Sequence, residues 1–114
     1  MPRSVREYLR HVLDEARYLN EASRDVSKSS FMQDETLKRA FVRSIEVIGG
    51  AVKFVPDSLR QQHPNVEWRA VAGMRDKLIH YYFGVDYEIV WDVVTNKIPG
   101  LVREIEQILV RDDL

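Results

Sequence analysis

This chain of 114 residues, with 45% hydrophobic residues, 31% charged residues and a net charge of −1, has the size and composition of one soluble globular domain. The near-neutral charge argues against strong non-specific nucleic-acid binding, and the lack of cysteine excludes a disulfide framework and a thiolate metal site. Because the apolar runs are far shorter than the ~18 residues of a membrane-spanning helix and the N-terminus lacks a signal-peptide core, we expect a single cytoplasmic domain over residues 1–114, without a membrane segment.

The first predicted helix runs from about Ser4 to about Val26. Ser4 and Glu7 form a capping-box pattern at its start. Its apolar residues recur at intervals of three and four, which is typical of one helix face: Val5, Tyr8, Leu9, Val12, Ala16 and Leu19. The polar residues 27–30 then break the pattern, so we expect the helix to end before them.

A second helix is predicted to begin after Asp34, whose side chain can cap it. Its apolar face consists of Leu37, Phe41, Ile45, Ile48, Val52 and Val55. Gly49 and Gly50 each weaken helix propensity by roughly 1 kcal/mol, so they indicate either the close approach of another helix or a kink. Pro56 ends this helix, and the connector as far as Pro64 is predicted to be a loop that holds one short helical turn.

Two more helices are predicted in the rest of the chain. Asn65 can cap a third helix that Gly84 ends, with a stripe formed by Trp68, Val71, Ala72, Arg75, Ile79 and Tyr82. Asp86 can cap a fourth helix, which Pro99 and Gly100 either kink or divide. No segment alternates as a strand does. The sequence therefore predicts an all-α, antiparallel bundle of four to five helices.

The end of the third predicted helix holds the most informative polar side chains. The Arg75 guanidinium can fork onto a phosphate and the His80 imidazole titrates near neutrality, which together suit chemistry on a phosphodiester. On a continuous helix, Arg75 and Tyr82 nearly superpose, whereas His80 lies about 140° away from Arg75. Asp76 would neighbour His80 and favour its protonated form, as a general acid requires. Lys77 adds a second cation.

The spacing of Arg75 and His80 alone does not distinguish between two interpretations, a functional site and an ordinary ion-paired surface. Arg6 and His11 repeat the same spacing in the first helix, where a solvated histidine is the simpler interpretation, so they form an internal negative control. His63 precedes a proline and is predicted to be an exposed turn residue. Three histidines and no cysteine provide no metal-ligand spacing, which argues against a zinc site.

Three segments carry a resemblance to a known family: residues 68–76 (WRAVAGMRD), residues 80–86 (HYYFGVD) and the pair Trp91-Asp92. Together with the surrounding stretch from Ile48 to Leu101, they resemble the HepT toxins of the HEPN superfamily, and the likeness extends loosely over nearly the whole chain. The family signature is arginine, four residues, histidine, one residue and tyrosine, followed by phenylalanine and glycine. The matching residues are Arg75, His80, Tyr82, Phe83 and Gly84.

The resemblance implies a HEPN-like helical homodimer in which motifs from both subunits form a composite cleft that cleaves RNA, without a metal or other cofactor. Arg75 and His80 become the catalytic pair, with Asp76 and Lys77 in supporting positions. The implied substrate is tRNA or mRNA. The implied partner is a minimal nucleotidyltransferase antitoxin of the MntA type, which neutralises the toxin by transferring AMP to Tyr82.

The chain departs from the family pattern at two positions. The second helix of the family often reads glycine-glutamate-alanine where this chain has glycine at both 49 and 50 before Ala51, so an acidic group is missing there. Tyr81 replaces a residue that is frequently polar or acidic, which leaves two adjacent tyrosines as AMP acceptors. The motif register favours Tyr82.

The leading hypothesis is therefore a metal-independent toxin ribonuclease of a type II-like toxin–antitoxin pair. The alternative is a non-catalytic helical module that binds nucleotide or RNA and serves as the acceptor partner of a nucleotidyltransferase. Growth arrest by the chain expressed alone distinguishes the first function from the second.

Overall fold

The computed structural model describes residues 4–80 and 84–111, apart from the side chain of His80. The predicted all-α fold is confirmed. Within the described ranges the helices are α1 (Val5–Ser23), α2 (Lys28–Gln33), α3 (Glu35–Val52), α4 (Asp57–Gln62), α5 (Trp68–Ala72), α6 (Met74–Leu78), α7 (Tyr87–Asp92), a π-helix (Val93–Lys97) and α8 (Ile98–Arg111). An antiparallel pair of two-residue strands, β1 (Ile79–His80) and β2 (Gly84–Val85), was not predicted. Each described helix is too short or too polar to traverse a lipid bilayer.

The predicted helix caps form at three of four positions. Ser4 Oγ accepts a hydrogen bond from the backbone N–H of Glu7 at 3.1 Å, and Asp34 Oδ1 accepts one from Leu37 at 3.0 Å. Asp86 caps α7 in the same way. Each such cap stabilises a helix by about 1 kcal/mol. These bonds are local, which is why the sequence could indicate them.

The predicted end of the first helix before residues 27–30 is confirmed, since α1 ends at Ser23, but the short helix α2 that follows was not predicted. The Ser27 side chain caps this helix by accepting a bond from the N–H of Ser30 at 3.1 Å. Phe31 is fully buried and stacks on Phe41 with ring centroids 5.1 Å apart. Burying such a ring contributes about 1.5 to 3 kcal/mol, which outweighs the weak helix propensity of its polar neighbours.

Helix α3 runs unbroken through both glycines, so the predicted close approach is confirmed and the kink is not. A Cβ at Gly49 would lie 3.3 Å from the carbonyl oxygen of Ala72 and 3.4 Å from that of Val71. Gly50 faces open space, with nothing within 4 Å of its Cβ position. The absence of a side chain at Gly49 therefore lets the backbone of α5 pack directly against α3.

The connector after α3 contains the short helix that was predicted there, α4. Its Arg60 side chain donates from Nη2 to the carbonyl oxygen of Val52 at 2.8 Å and from Nε to that of Val55 at 3.0 Å. The Val52 carbonyl, at the end of α3, also accepts the N–H of Val55 at 3.0 Å, so the guanidinium adds a second bond there. The two bonds from Arg60 hold α4 against the end of α3.

The prediction of one continuous third helix, capped by Asn65 and ended by Gly84, was wrong. The N-cap is Glu67, and Gly73 separates α5 from α6. The helix ends at Leu78 because the next residue is extended and the Leu78 carbonyl accepts a bond from the N–H of Asp86 at 2.7 Å. A contact with the incoming chain thus replaces the next helical turn.

The fourth predicted helix is neither divided nor ended at Pro99. It widens into the π-helix before the proline, where the N–H of Ile98 bonds to the carbonyl of Val93, and then continues as α8. A proline ring clashes with the carbonyl four residues earlier in a regular α-helix. A wider turn just before Pro99 relieves this crowding.

The core lies where α1 packs against both α3 and α8. Lys38 on α3 is a charged residue that is nevertheless buried, and its ammonium lies 4.6 Å from the centroid of the Tyr87 ring on α7. The same ammonium bonds to the Glu35 carboxylate at 2.9 Å, and this contact lowers the pKa of Glu35. Lys38 therefore ties α7 to α3 through a cation–π contact.

The two glycines of α3 provide a matched test of helix packing. Gly50→Ala is expected to raise the free energy of unfolding by about 0.5 to 1 kcal/mol, because alanine favours the helix and its Cβ meets nothing. Gly49→Ala is expected to be less stable than Gly50→Ala by about 1 to 2 kcal/mol, because its Cβ crowds backbone carbonyls. Urea denaturation measures both variants, and equal stabilities would contradict the packing.

Candidate functional site

Helix α6 exposes the predicted cations because its opposite face is buried. Met74 and Leu78, four residues apart, are 7% and 0% exposed and point into the core. The intervening residues Arg75, Asp76 and Lys77 are consequently exposed. The Arg75 charge is thus accessible to a ligand, while Met74 and Leu78 hold the helix against the core.

Arg75 is held by a carboxylate from another helix. Its Nε donates to Glu46 Oε2 on α3 at 3.2 Å, and 55% of the Arg75 side chain and 30% of the Glu46 side chain remain exposed. Asp76 Oδ1 lies 3.9 Å from Arg75 Nη1, outside hydrogen-bonding distance, and its side chain is 84% exposed. Within the described part of the chain, the Nη groups of Arg75 make no hydrogen bond. They remain able to donate to a phosphate.

The contact between Glu46 and Arg75 follows from the close approach at Gly49. Glu46 lies three residues before Gly49, and Arg75 lies three residues after Ala72, whose carbonyl meets Gly49. Sequence reasoning missed Glu46. The two glycines were the available signal, since a residue one helical turn before a close approach lies beside the neighbouring helix. Gly50 stands where the family often has a glutamate, and it lies four residues after Glu46 on the same face of α3. Glu46 therefore supplies a carboxylate one helical turn before the position of the missing acidic group.

Lys77 is directed away from Arg75. It lines a groove of about 760 Å³ together with Gly73, Trp68 and residues of α4, and Arg75 does not line this groove. Residues two apart on a helix differ by about 200° in direction, which accounts for this separation. The structure therefore does not bring the two predicted cations to one place.

The helix-face argument for His80 and Tyr82 was wrong in its geometry, because α6 ends at Leu78 and His80 is in β1. The backbone of His80 pairs with Gly84, whose φ of +79° is a conformation that favours glycine. The side chain of His80 and the whole of Tyr81, Tyr82 and Phe83 lie outside the described residues. The contacts predicted for His80 and Tyr82 thus remain predictions.

The other histidines show no comparable arrangement. His11 is exposed on α1, and the Nη1 of Arg6 donates to the carbonyl oxygen of Leu109 on α8 at 3.3 Å. His63 is partly buried rather than exposed, and its carbonyl accepts the indole N–H of Trp68 at 2.9 Å. Among the residues that the structure describes, no three histidine, aspartate or glutamate side chains are grouped as metal ligands.

This arrangement provides an oriented cation at the surface. A carboxylate on Nε restricts rotation of the guanidinium plane and leaves its other edge as a fork that matches phosphate oxygens. Two residues after α6, the strand pair fixes the backbone position of His80 relative to that helix. An arginine whose guanidinium can bind a phosphate and a histidine whose imidazole can transfer a proton are thus carried by one short segment of chain.

Comparisons with known proteins point to ribonucleases. A family model described as "Ribonuclease HepT-like" matches residues 12–108. A relative from Caldanaerobacter subterraneus subsp. tengcongensis, provisionally named an RNase, is 46% identical over 110 residues, which cover 96% of this chain and 98% of the relative. Another from Methanocaldococcus jannaschii, also provisionally named an RNase, is 42% identical over 110 residues, covering 96% and 91%. A protein from Thermococcus cleftensis, named "Probable ribonuclease HepT", is 37% identical over 108 residues, covering 95% and 98%. No solved structure matches the chain significantly.

The orientation of Arg75 by Glu46 can be tested without an activity assay. Because the pair is partly exposed, a double-mutant cycle of Glu46→Gln and Arg75→Gln is expected to give a coupling of about 0.5 kcal/mol in urea denaturation. In NMR spectra, Glu46→Gln is expected to shift the Nε–H signal of Arg75. Arg17→Gln, which removes the comparable pair with Glu106 on the α1–α8 side, should leave that signal unchanged. An unmoved signal in Glu46→Gln would show that the carboxylate does not orient Arg75.

Proposed function

The chain belongs to the HepT-like ribonuclease family, and from this premise we propose that it is a metal-independent endoribonuclease, the toxin of a two-component toxin–antitoxin pair. The observation that carries the proposal is the exposed Arg75 fork held by Glu46, with His80 following in the adjacent strand. We propose that the substrate is a tRNA or mRNA strand.

The proposed reaction is an internal transfer within RNA. The ribose 2′-hydroxyl attacks the neighbouring phosphorus, a new O2′–P bond forms, and the bond to the 5′ oxygen breaks to leave a cyclic phosphate and a 5′-hydroxyl. Arg75 donates from its Nη groups to the phosphate oxygens as their negative charge increases. His80 transfers the proton that the 2′-hydroxyl loses and the departing 5′ oxygen gains. A positioned acid or base contributes about 10² to 10⁴ in rate. Charge stabilisation and proton transfer are then both supplied by side chains.

We propose that two copies of the chain form the active cleft. A pair of subunits would bring two Arg75 guanidiniums and two His80 imidazoles around one RNA backbone. The chain has a net charge of −1, so doubling the motif is a simple way to create a locally cationic cleft in a nearly neutral protein. Asp76, which is exposed beside Arg75, is the supporting residue that lies nearest to this fork.

We propose that a minimal nucleotidyltransferase antitoxin inactivates the protein by adding AMP to Tyr82. Tyr82 comes two positions after His80, and a chain advances at most about 7 Å over two positions. An adenylate on the phenolic oxygen would therefore place an anionic phosphate at the site. This anion would repel the RNA backbone and compete for the guanidinium of Arg75.

His80→Ala is expected to lower the rate of RNA cleavage by at least about 10²-fold, because the proton-transfer group is lost. Circular dichroism and thermal unfolding should remain those of the unchanged protein. His11→Ala is the matched control, since His11 has the same spacing from an arginine and is exposed on α1. Cleavage should persist in excess EDTA. Full activity of His80→Ala would refute the catalytic assignment, and loss of activity in EDTA would refute metal independence.

Tyr82→Phe is expected to prevent AMP transfer when the chain is incubated with its nucleotidyltransferase and ATP, whereas Tyr81→Phe is still modified. Intact-mass measurement counts the added AMP units. Tyr82→Phe should also continue to arrest growth when the nucleotidyltransferase is co-expressed. Modification that persists in Tyr82→Phe would move the acceptor to Tyr81. Modification of a chain that neither cleaves RNA nor arrests growth would favour the non-catalytic acceptor module instead.

A further inference from the structure

The exposed face of α3 carries a row of cations next to Arg75. Arg39, Arg43 and Lys53, which we call the α3 basic face, are all exposed. Lys53 is the C-cap residue that follows α3 and keeps a helical backbone conformation, so at about 100° per residue these three positions and Glu46 fall within an arc of about 80°. Since Glu46 holds Arg75, the guanidinium of Arg75 lies beside the middle of this row.

Within the described ranges, the cations of this face form no ion pair, although the charge of Arg39 contributes to lowering the pKa of Glu35. Among the described residues, no aspartate or glutamate oxygen lies within ion-pairing distance of Arg39, Arg43 or Lys53, whereas Arg17, Arg24 and Lys28 elsewhere are paired. Glu35, one turn before Arg39, bonds to Lys38. Glu35 and Glu46, the carboxylates on the same side of the helix, bond to Lys38 and Arg75, so three cations without an ion pair are grouped here in a chain of net charge −1.

The shape of this face suits an extended strand. From Arg39 to Lys53 the helix rises about 21 Å, a length over which a stacked strand carries about six phosphates. Gly50 has no side chain and nothing within 4 Å of its Cβ position, so the helix surface is low between Arg75 and Lys53. A backbone that follows the face therefore meets no obstruction at Gly50.

An exposed aromatic ring stands at the end of the row. Phe54, next to Lys53, is 62% exposed, and its ring stacks on Tyr8 at a centroid distance of 4.6 Å and an interplanar angle of 7°. The partner ring on one side keeps Phe54 in a fixed plane and leaves its remaining surface to solvent. Cations that follow a backbone, combined with an aromatic platform for a base, are the usual combination in proteins that bind single-stranded nucleic acid.

We propose that the α3 basic face and Phe54 bind single-stranded RNA on its way to Arg75, with phosphates on the cations and a base on the ring. This inference rests on the proposed ribonuclease function and adds the path of the substrate. An acidic protein surface would fit the cations as well. The aromatic platform and the continuity with Arg75 favour the nucleic acid.

The test measures binding of a 2′-O-methyl RNA of about 12 nucleotides, which cannot be cleaved because it lacks the attacking hydroxyl and which extends beyond the face at both ends. Arg39→Gln/Arg43→Gln is expected to reduce the slope of log K against log salt by about 1.4, at about 0.7 per lost phosphate contact. Lys97→Gln/Arg103→Gln, with the same change in net charge on the π-helix and α8, should leave the slope unchanged. Phe54→Leu is expected to weaken binding on the order of tenfold at every salt concentration, with an unchanged slope.

Cleavage of unmodified RNA separates this inference from the proposed function. Arg39→Gln/Arg43→Gln is expected to raise KM on the order of tenfold while kcat changes by less than about twofold, because binding is lost and chemistry is kept. If Arg39→Gln/Arg43→Gln cleaves RNA with the same KM and the same salt slope as Lys97→Gln/Arg103→Gln, the inference is overturned and the proposed ribonuclease function stands. This holds even if Arg39→Gln/Arg43→Gln loses affinity for an acidic protein. RNA binding through this face by a chain that never cleaves would instead overturn the proposed function and uphold the inference.

Discussion

The contact between Gly49 and the carbonyl groups of Val71 and Ala72 brings Arg75 beside Glu46. Any Cβ at Gly49 would meet backbone atoms at 3.3 to 3.4 Å, so only glycine lets α5 approach α3 this closely. One helical turn away from that contact, the Glu46 carboxylate reaches the Arg75 guanidinium at 3.2 Å. The position of the cation is therefore a consequence of backbone packing, and the ion pair fixes its orientation.

The early end of α6 places Arg75 and His80 on different elements of secondary structure. Buried Met74 and Leu78 anchor the helix and direct Arg75 outward, while the bond from Asp86 to Leu78 turns the chain into β1. His80 is consequently carried by a strand and not by a helix face. Glu46 on α3 restrains the guanidinium, whereas Ile79 and His80 continue from α6 as a strand.

Charge in this protein is organised locally and not by its total. The net charge of −1 is a sum over surfaces that differ. On some of them carboxylates and cations pair, as Arg17 does with Glu106, whereas the cations of the α3 basic face form no such pair within the described chain. Pairing at Arg75 leaves its Nη groups without a hydrogen bond inside the described chain. A nearly neutral protein can in this way keep a strongly directional site for an anion without attracting polyanions over its whole surface.

The sequence by itself determined the all-α class, the caps at Ser4, Asp34 and Asp86, the burial of most of the apolar stripes and the family, because caps and helical periodicity depend on neighbours within four residues. Only the tertiary structure decided which side chain holds Arg75 and where α6 ends. It also decided that Lys77 lines a groove that Arg75 does not line. Glu46 lies 29 residues from Arg75, and the contact depends on how closely two helices pack. The same applies to α2, whose sequence is mostly polar but whose own Phe31 is buried against Phe41 of α3.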